Sequence, residues 1–485
     1  MSGADFRRYG HRVIDWIADY WDTVNGKPVL AQVEPGDVTA MLPTSAPSEP
    51  ELFDAVLTDL DEIIMPGITH WQHPRFFAYF PANSSPAAIL GDLISSGIGA
   101  QGMIWATSPA LTELEQVVLD WLVGALGLPE AFRHNGTGTE TGGGVIQDTA
   151  STATLTAVLA ALHRASGGTV RTDGVTANTY TIYGSSQAHS SLLKAAVMAG
   201  LGERAVRSID VEPATQAMDV SQLRTCIEND RRDGRIPLML HAAVGTTSTG
   251  AIDPVAEMGC AAREFGIWLH VDAAWAGVAA VCPELRWIND GVAEFADSYV
   301  TNPHKWLLTT FDCSTFWVRE RAPLIGALSV LPEFLRNPAS ESGAVIDYRD
   351  WHPQLGRRFR AVKLWAVLRS YGLSGLRQHI GAGVDLARYL ADLVLADDRF
   401  TFAAPPVLGL VTFRIVAGDE GRPLTDEEAD RATMQTMESL NASGIAYLSH
   451  TKVNGRTAMR LAVGGWRTTR TDIDRTWAEI QRLNS

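Results

Sequence analysis

Short apolar runs alternate with stretches of helical periodicity through the middle of the chain, from about residue 86 to residue 380. Strands in alternation with helices are typical of a mostly parallel α/β sheet, which binds ligands at the carboxyl ends of its strands. The pattern therefore predicts a large domain, residues 86–385, built on such a sheet. The runs that predict its strands are residues 145–146, 179–183, 205–209, 238–243, 267–271, 298–301 and 315–318, separated by helical periods such as 155–163 and 254–265.

The two ends of the chain have a different pattern. Residues 1–25 and 51–64 predict amphipathic helices, and a proline-rich connector joins them. Two helices with apolar faces cannot form a core alone, so residues 1–85 are predicted to pack on another body, most simply the partner subunit of a dimer. Residues 386–485 predict a small α+β domain, with strands at 408–415, 446–448 and 458–462 and helices at 426–440 and 471–483.

Two polar residues follow predicted strands at the ends where ligands bind. Asp272 follows the run 267–271, and Lys305 comes shortly after the run 298–301. A lysine amine can bond to the aldehyde of pyridoxal phosphate (PLP), and a carboxylate opposite the ring nitrogen keeps that nitrogen protonated. The apolar residues after Lys305 favour burial, which lowers the pKa of an amine towards that of a nucleophile. The alternative is a surface lysine beside a helix-capping aspartate.

Composition and charge narrow the classes of partner. The chain has 485 residues, 46% of them hydrophobic, and 40 Lys and Arg against 55 Asp and Glu give a net charge of −15. Since the sequence has no basic cluster, we expect neither nucleic acid nor an anionic membrane surface as a partner. No apolar run approaches the roughly 20 residues that span a bilayer, and the N-terminal helix does not resemble a signal peptide. The four cysteines are far apart, as in proteins with reduced thiols, so we expect a cytoplasmic protein.

Other motifs suggest a phosphate site but no metal. The glycine-rich residues 142–144 precede a short strand and a helix predicted to begin near Ser151. Backbone N–H groups at such a helix start can bind a phosphate, although a plain N-cap by Ser151 fits the same residues. His70 with His73, and His270 with Asp272, have no third metal ligand at a convincing spacing. A serine hydrolase would need a Gly-x-Ser-x-Gly motif, which the sequence lacks.

Two sequence words carry a family resemblance. Residues 270–277 read His-Val-Asp-Ala-Ala-Trp-Ala-Gly and residues 302–306 read Asn-Pro-His-Lys-Trp. In this order and spacing they resemble the aromatic-L-amino-acid decarboxylase family, the group II PLP-dependent decarboxylases. The resemblance implies PLP-dependent fold type I with a mostly parallel seven-stranded sheet, PLP as cofactor and a homodimer with shared active sites. It also implies decarboxylation of an aromatic L-amino acid, of the tryptophan, 5-hydroxytryptophan, tyrosine, dopa or phenylalanine class, to an arylalkylamine and CO₂.

The resemblance assigns roles to individual residues. It implies that Lys305 and Asp272 are catalytic and that His189 stacks on the cofactor ring and directs chemistry at the substrate's α-carbon. The other cofactor contacts that it implies are Ala150, Ser151, Thr247, Ala274, Asn302 and His304. The substrate contacts that it implies are Phe80, Pro81, Ala82, Gln101, Met103 and Gly356. Gln101 and Met103 would arrive from the partner subunit, and Ala82 stands where familiar animal members carry threonine. Some plant relatives carry serine at Gly356 and prefer phenolic rings, so glycine predicts that indole substrates are accepted.

The segment 338–348 lacks periodicity and is rich in small and polar residues, which predicts a mobile loop over the site. In the family the matching loop carries a tyrosine that protonates the α-carbon after CO₂ leaves, and relatives with phenylalanine there are similar to aldehyde synthases. Taking Tyr348 as that tyrosine favours an amine-forming decarboxylase, with an aromatic aldehyde synthase as the alternative. An aminotransferase and a cofactor-free interaction protein are further alternatives, and the presence of Lys305, Asp272 and His189 argues against the second of these.

Overall fold

A seven-stranded sheet is the framework of the larger of two units into which the chain folds. The computed structural model describes residues 1–134, 141–330, 338–418 and 421–484. The larger unit comprises Ala82–Asp385 and Ala404–Leu410, and the smaller comprises Met1–Pro81, Leu386–Ala403 and Val411–Ser485. The strands of the seven-stranded sheet are Gly143–Gln147 (β1), Tyr180–Ser185 (β2), Val206–Ile209 (β3), Ile236–Ala243 (β4), Trp268–Asp272 (β5), Ser298–Thr301 (β6) and Ser314–Val318 (β7).

The order of the strands in this sheet is β1-β7-β6-β5-β4-β2-β3. Strand β7 pairs antiparallel with both of its neighbours, and the other pairs are parallel. The strands β1, β2, β5, β6 and β7 are buried along their whole length. Burial on both faces fits their composition, in which Asp272 is the single Asp, Glu, Lys or Arg residue. The prediction of a mostly parallel seven-stranded sheet is confirmed.

Helices connect the parallel strands, as the right-handed crossover of a parallel sheet requires. Helix caps agree with the sequence: the Asp219 carboxylate accepts hydrogen bonds from the N–H groups of Ser221 and Gln222 at the start of one helix. The helices of the described residues are Gly3–Thr23 (α1), Asp37–Met41 (α2), Phe53–Asp59 (α3), Pro86–Ile98 (α4), Pro109–Leu126 (α5), Ala150–Ser166 (α6), Val170–Asp173 (α7), Ser191–Met198 (α8), Val220–Arg232 (α9), Val255–Phe265 (α10), Val292–Phe295 (α11), Pro303–Trp306 (α12), Ala322–Leu328 (α13), Pro338–Glu341 (α14), Ala361–Leu395 (α15), Asp426–Ala442 (α16) and Arg470–Leu483 (α17).

A second sheet, with the order β10-β11-β9-β8, is formed mainly by residues of the smaller unit. Its strands are Phe400–Val407 (β8), Leu410–Ile415 (β9), Ser449–Val453 (β10) and Arg456–Ala462 (β11). The predicted helices of this region are present as α16 and α17. The sequence did not predict β8, because Pro405 and Pro406 interrupt the pattern of a strand. The predicted strand at 446–448 is wrong, since the strand begins at Ser449.

The segment 338–348, for which the sequence predicts a mobile loop, contains a short helix and a buried end. The segment begins with α14, and Ile346, Asp347 and Tyr348 at its far end are buried. Tyr348 has no exposed surface and belongs to the apolar core around β1, α6 and β7. Tyr348 is therefore a core residue, and its ring anchors the end of the segment. Among the helices of the described residues, none is long and apolar enough to cross a membrane.

Candidate active site

Loops that follow several strands of the large sheet meet at one edge and enclose a cavity of about 200 Å³. The strands that lead into it are β1, β2, β4, β5 and β6, which run parallel to one another. Because parallel strands end at the same edge, residues far apart in sequence meet there. The residues that line the cavity are Thr149, Ala150, Ser151, His189, Ala243, Gly245, Thr246, Thr247, Asp272, Ala274, Trp275, Asn302, His304, Lys305 and Phe311.

Lys305 lies in α12, directly after β6, and the backbone around it is fixed by several hydrogen bonds. The Asn302 N–H donates to the Ala274 carbonyl at 2.8 Å, and the Asn302 side-chain oxygen accepts from the Ser314 hydroxyl at 2.6 Å. The Asn83 side-chain amide donates to the carbonyl of Lys305 itself. These bonds hold the backbone that carries the lysine, so the amine is presented to the cavity from a rigid support.

Asp272 is the last residue of β5 and is buried. Its Oδ1 accepts a hydrogen bond from the Ala274 N–H at 3.0 Å, and its Oδ2 lies 3.4 Å from Nε2 of His241. Burial alone would raise the pKa of Asp272, but His241, His270 and Lys305 outweigh it and hold the pKa of this carboxyl well below its usual range. Asp272 is therefore an ionised carboxylate in the wall of the cavity.

His189 follows β2 and precedes α8. Its Nδ1 accepts a hydrogen bond from the backbone N–H of Ser191 at 3.2 Å. A neutral imidazole that accepts at Nδ1 carries its proton at Nε2. The surrounding protein lowers the pKa of His189 by desolvation, with Lys305 and His241 acting in the same direction and Asp272 opposing them. His189 is thus held as a neutral ring with a defined tautomer.

The N-terminus of α6 provides an anion site in the wall of the cavity. The N-cap residue Thr149 makes no side-chain capping hydrogen bond, so the first N–H groups of the helix, at Ala150 and Ser151, are not capped by it. Such N–H groups bind phosphate well. Beside them, burial lowers the pKa of His304 to about 3, and its Nδ1 accepts from the Cys313 N–H at 2.9 Å.

These residues fit PLP. One cavity contains an amine for the cofactor's aldehyde, an ionised carboxylate for a protonated ring nitrogen, a neutral imidazole and uncapped helix N–H groups for a phosphate. All the residues that the sequence predicted as cofactor contacts line this cavity. Among the described residues, no cluster of three or more His, Cys, Asp or Glu side chains could hold a metal ion.

The residues that line the Lys305 cavity do not include the predicted substrate residues. Gln101 and Gly356 are neighbours: the side-chain oxygen of Gln101 accepts from the Arg357 N–H, and a Cβ at Gly356 would lie 3.3 Å from Gln101 Nε2. They line a second cavity of about 350 Å³ that does not include Lys305. The Met103 carbonyl accepts a hydrogen bond from the Arg349 N–H. Ala82 directly precedes Asn83, whose side chain binds the Lys305 carbonyl. Phe80 and Pro81 belong to the smaller unit.

Tyr348 does not line the cavity that contains Lys305. Its hydroxyl lies 3.3 Å from Nε2 of His134, and the Arg357 guanidinium lies over its ring at 4.5 Å. Arg357 in turn pairs with the buried Glu115 at 2.6 Å. Burial raises the pKa of Tyr348 well above its usual value, with Glu115 acting in the same direction. The geometry therefore gives no support to Tyr348 as the residue that protonates a substrate in this cavity.

Sequence reasoning missed His241, which lies behind Asp272. It is the one polar side chain in the otherwise apolar run 238–243. A lone polar residue inside a buried strand is a signal that could have found it. Thr149, Thr246 and Phe311 were also missed, because they lie in irregular loops whose side-chain directions the sequence does not specify.

Comparison with known proteins agrees with this geometry. Residues 35–416 match the model of the pyridoxal-dependent decarboxylase conserved domain. This chain belongs to the pyridoxal-dependent decarboxylase family. The decarboxylase is 44% identical over 485 residues to phenylacetaldehyde synthase from Arabidopsis thaliana, covering 99% of this chain and 96% of the relative. It is also 42% identical over 480 residues to tryptophan decarboxylase 2 from Oryza sativa subsp. japonica, covering 98% and 94%.

Solved structures extend the comparison to three dimensions. The decarboxylase matches a crystal structure of Oryza sativa TDC with PLP and tryptamine, with a TM-score of 0.95, 41% identity and coverage of 100% of this chain and 98% of that one. A crystal structure of Rhodiola rosea 4-hydroxyphenylacetaldehyde synthase matches with a TM-score of 0.91, 36% identity and coverage of 100% and 98%. The fold is PLP-dependent fold type I, and the cofactor of this decarboxylase is PLP.

Proposed function

We propose that this chain removes CO₂ from an aromatic L-amino acid, of the tryptophan, 5-hydroxytryptophan, tyrosine, dopa or phenylalanine class, and forms the corresponding arylalkylamine. The observation that carries the proposal is the convergence of Lys305, Asp272 and His189 on one cavity. The aromatic substrate is supported by relatives named for tryptophan, tyrosine and phenylacetaldehyde chemistry.

Each of the three residues has a distinct task in this proposal. Bound PLP supplies an electron sink for the electron pair that remains when CO₂ leaves. Asp272 would keep the cofactor's ring nitrogen protonated, because an ionised carboxylate stabilises a positive charge beside it. Lys305 would hold the cofactor through its aldehyde until the substrate amine takes its place. His189, which lines the same cavity, would contact the cofactor ring and exclude water from it.

Formation of an aldehyde is a second candidate, and a specific observation favours it. The amine requires prompt delivery of a proton to the substrate's α-carbon, and Tyr348 is buried against His134 instead of facing the Lys305 cavity. Between the end of α13 and Tyr348, the single aromatic residue in the sequence is Phe334, which lies outside the described residues. Phenylalanine has no hydroxyl to give a proton. Two phenylacetaldehyde synthases among the relatives, 44% and 42% identical, fit this candidate.

The two candidates differ in products. Amine formation gives amine and CO₂ alone, whereas aldehyde formation consumes O₂ and water and gives aldehyde, CO₂, ammonia and hydrogen peroxide. The test is incubation of the PLP-loaded protein with tryptophan, 5-hydroxytryptophan, tyrosine, dopa and phenylalanine, with all of these products and O₂ measured. Amine without O₂ uptake supports the first candidate, and aldehyde with equimolar peroxide supports the second. CO₂ release from none of the amino acids would contradict both.

We also propose that the enzyme is a homodimer with shared active sites. The helix α4 exposes Leu90, Leu93, Ile94 and Ile98, which are 48–60% accessible, and such a stripe is typical of a surface that a partner covers. Gln101 and Gly356 do not line the cavity of their own Lys305, as expected if they complete the partner's site. Ile94→Asp is expected to give a monomer with little activity by sedimentation and assay. The similarly exposed Leu395→Asp is the control.

A cytoplasmic location accompanies this proposal. The four cysteines Cys226, Cys260, Cys282 and Cys313 are all free thiols, which is typical of proteins in a reducing compartment.

A further inference from the structure

His241 is a fully buried histidine in a strand that is otherwise apolar. It lies near the carboxyl end of β4, between Leu240 and Ala242, and has no exposed surface. Neither of its ring nitrogens has a well-formed hydrogen bond within the described part of the chain. Burying an imidazole without such a bond is unfavourable compared with an apolar side chain, so the position requires another explanation.

The nearest polar group supplies that explanation. Strands β4 and β5 pair in parallel with His241 opposite His270, so both side chains lie on the same sheet face as Asp272, two residues further along β5. The Nε2 of His241 lies 3.4 Å from Oδ2 of Asp272. The other carboxylate oxygen, Oδ1, accepts from the Ala274 N–H. The charge of Lys305 also acts on this carboxylate and, like His241, favours its ionised form.

The two contacts hold Asp272 from both sides. A carboxylate that bonds Ala274 through one oxygen can still rotate about its Cβ–Cγ bond, and a donor at the second oxygen removes that freedom. The separation of 3.4 Å is slightly longer than a formed hydrogen bond, so a small shift of the His241 ring brings its N–H within bonding distance of Oδ2. The same donor favours the ionised form of Asp272, which is the form that can hold a proton on a ring nitrogen.

We infer that His241 is a positioning residue for the cofactor: its Nε2–H holds the Asp272 carboxylate ionised and oriented towards the cofactor's ring nitrogen. The inference rests on the role proposed above for Asp272. His241 does not line the cavity, so its effect on the cofactor's ring nitrogen is exerted through that carboxylate. Its loss is therefore expected to affect only ligands that have a ring nitrogen.

The test compares two ligands on the apoprotein. One is PLP, and the other is its deaza analogue, in which C–H replaces the ring nitrogen while the aldehyde and the phosphate are unchanged. Dissociation constants are measured by fluorescence titration, so the result does not depend on turnover. The variants are His241→Leu, which fills the space without a donor, and His241→Gln, which keeps an N–H donor. Met239→Leu is the matched control, because Met239 is buried on the same face of β4.

His241→Leu is expected to weaken PLP binding by about ten-fold to a hundred-fold, the usual effect of losing a hydrogen bond to a charged group. Its affinity for the deaza analogue is expected to be unchanged. His241→Gln is expected to keep most of the parent's preference for PLP over the deaza analogue. Met239→Leu is expected to keep all of this preference. Equal weakening for both ligands, or no weakening for either, would overturn the inference.

Asp272→Asn separates this inference from the assignment of Asp272 itself. This variant is expected to lose the preference for PLP over the deaza analogue, and His241→Leu is then expected to add nothing in the double variant. If Asp272→Asn retained the preference, the proposed role of Asp272 would fail. If it lost the preference while His241→Leu and His241→Gln both kept it, only the role of His241 would fail. If His241→Leu does not fold, His241→Gln provides the test. A folded His241→Gln that no longer binds PLP more tightly than the deaza analogue would overturn the inference, because this variant keeps an N–H donor.

Discussion

At the scale of single residues, the position of Lys305 is set by its backbone. The Asn302 carbonyl accepts a hydrogen bond from the Lys305 N–H, and the Asn83 side chain donates to the Lys305 carbonyl. The chain around the lysine is therefore fixed. Asp272 is fixed in the same way, through the Ala274 N–H. The chemistry of the site therefore depends on side chains whose supports are main-chain hydrogen bonds, and replacing one side chain is expected to leave the supports in place.

Lys305→Ala is expected to fold normally, to lose the visible absorption band of bound PLP and to have no measurable turnover. The reason is that the alanine variant has no amine to bond to the cofactor's aldehyde. Absorption spectra and product assays on the PLP-treated protein test this. Lys194→Ala, on the exposed side of α8, is the control. Turnover in Lys305→Ala close to that of the parent would refute the assignment of the lysine.

Gly356 gives a prediction about substrate size. An added Cβ there would lie 3.3 Å from the side-chain nitrogen of Gln101, so a small shift of this side chain accommodates serine. Serine would reduce the room for a large ring, and a pocket difference of this kind is worth about 1–3 kcal/mol. Gly356→Ser is therefore expected to lower kcat/KM for tryptophan relative to tyrosine by roughly ten-fold or more. An unchanged ratio of the two values would show that Gly356 does not face the substrate ring.

At the scale of elements, a buried ion pair links α5 to the segment before α15. Glu115 and Arg357 have almost no exposed side-chain surface and lie 2.6 Å apart, and Glu115 also accepts from the Ile146 N–H in β1. Glu115→Ala leaves the arginine buried without its partner, which typically lowers the free energy of unfolding by about 3–5 kcal/mol. Urea denaturation of the PLP-loaded protein measures this loss.

The exposed pair of Arg224 and Glu264 is the control for that experiment. Arg224→Gln is expected to leave the free energy of unfolding nearly unchanged, because exposed ion pairs contribute little. If Glu115→Ala were as stable as Arg224→Gln, the pair would not be an anchor of the segment.

Tyr348 belongs to the same set of contacts. Tyr348→Phe removes only the hydroxyl near His134 and is expected to cost about 0.5–1.5 kcal/mol of stability. The ratio of amine to aldehyde is expected to stay at the parent value, because the ring does not line the Lys305 cavity. A shift towards aldehyde in this variant would restore Tyr348 as the proton donor. Phe334→Tyr is the companion variant, in which a shift towards amine is expected if the parent forms aldehyde.

The sequence predicted elements well where burial imposes a simple pattern. The buried strands of the large sheet contain short apolar runs. Asp272 ends one of these strands and Lys305 comes shortly after another, so the fold and the central residues could be predicted together. The role of Tyr348 stays a prediction, and its burial could not be predicted, because a segment of small and polar residues does not reveal where the chain re-enters the core. His241 was missed because its partner, Asp272, lies on another strand, and the local pattern of residues does not specify which strands pair.

At the scale of the whole molecule, the fold brings together the groups that the reaction needs. The loops after parallel strands bring an amine, a carboxylate, an imidazole and an anion site to one cavity, and the match to the pyridoxal-dependent decarboxylase family covers most of the chain. The central claim is that this cavity uses PLP to remove the carboxyl group of an aromatic L-amino acid. Amine and aldehyde formation share that step, so it can be tested before the product is known.

Release of CO₂ from carboxyl-labelled aromatic amino acids by the PLP-loaded protein is the most direct test. The account predicts that labelled CO₂ appears from at least one of tryptophan, 5-hydroxytryptophan, tyrosine, dopa and phenylalanine, in an amount equal to the substrate consumed. Lys305→Ala, treated in the same way, is expected to release none. A protein that shows the full absorption band of bound PLP but releases no CO₂ from any of these amino acids would contradict the account.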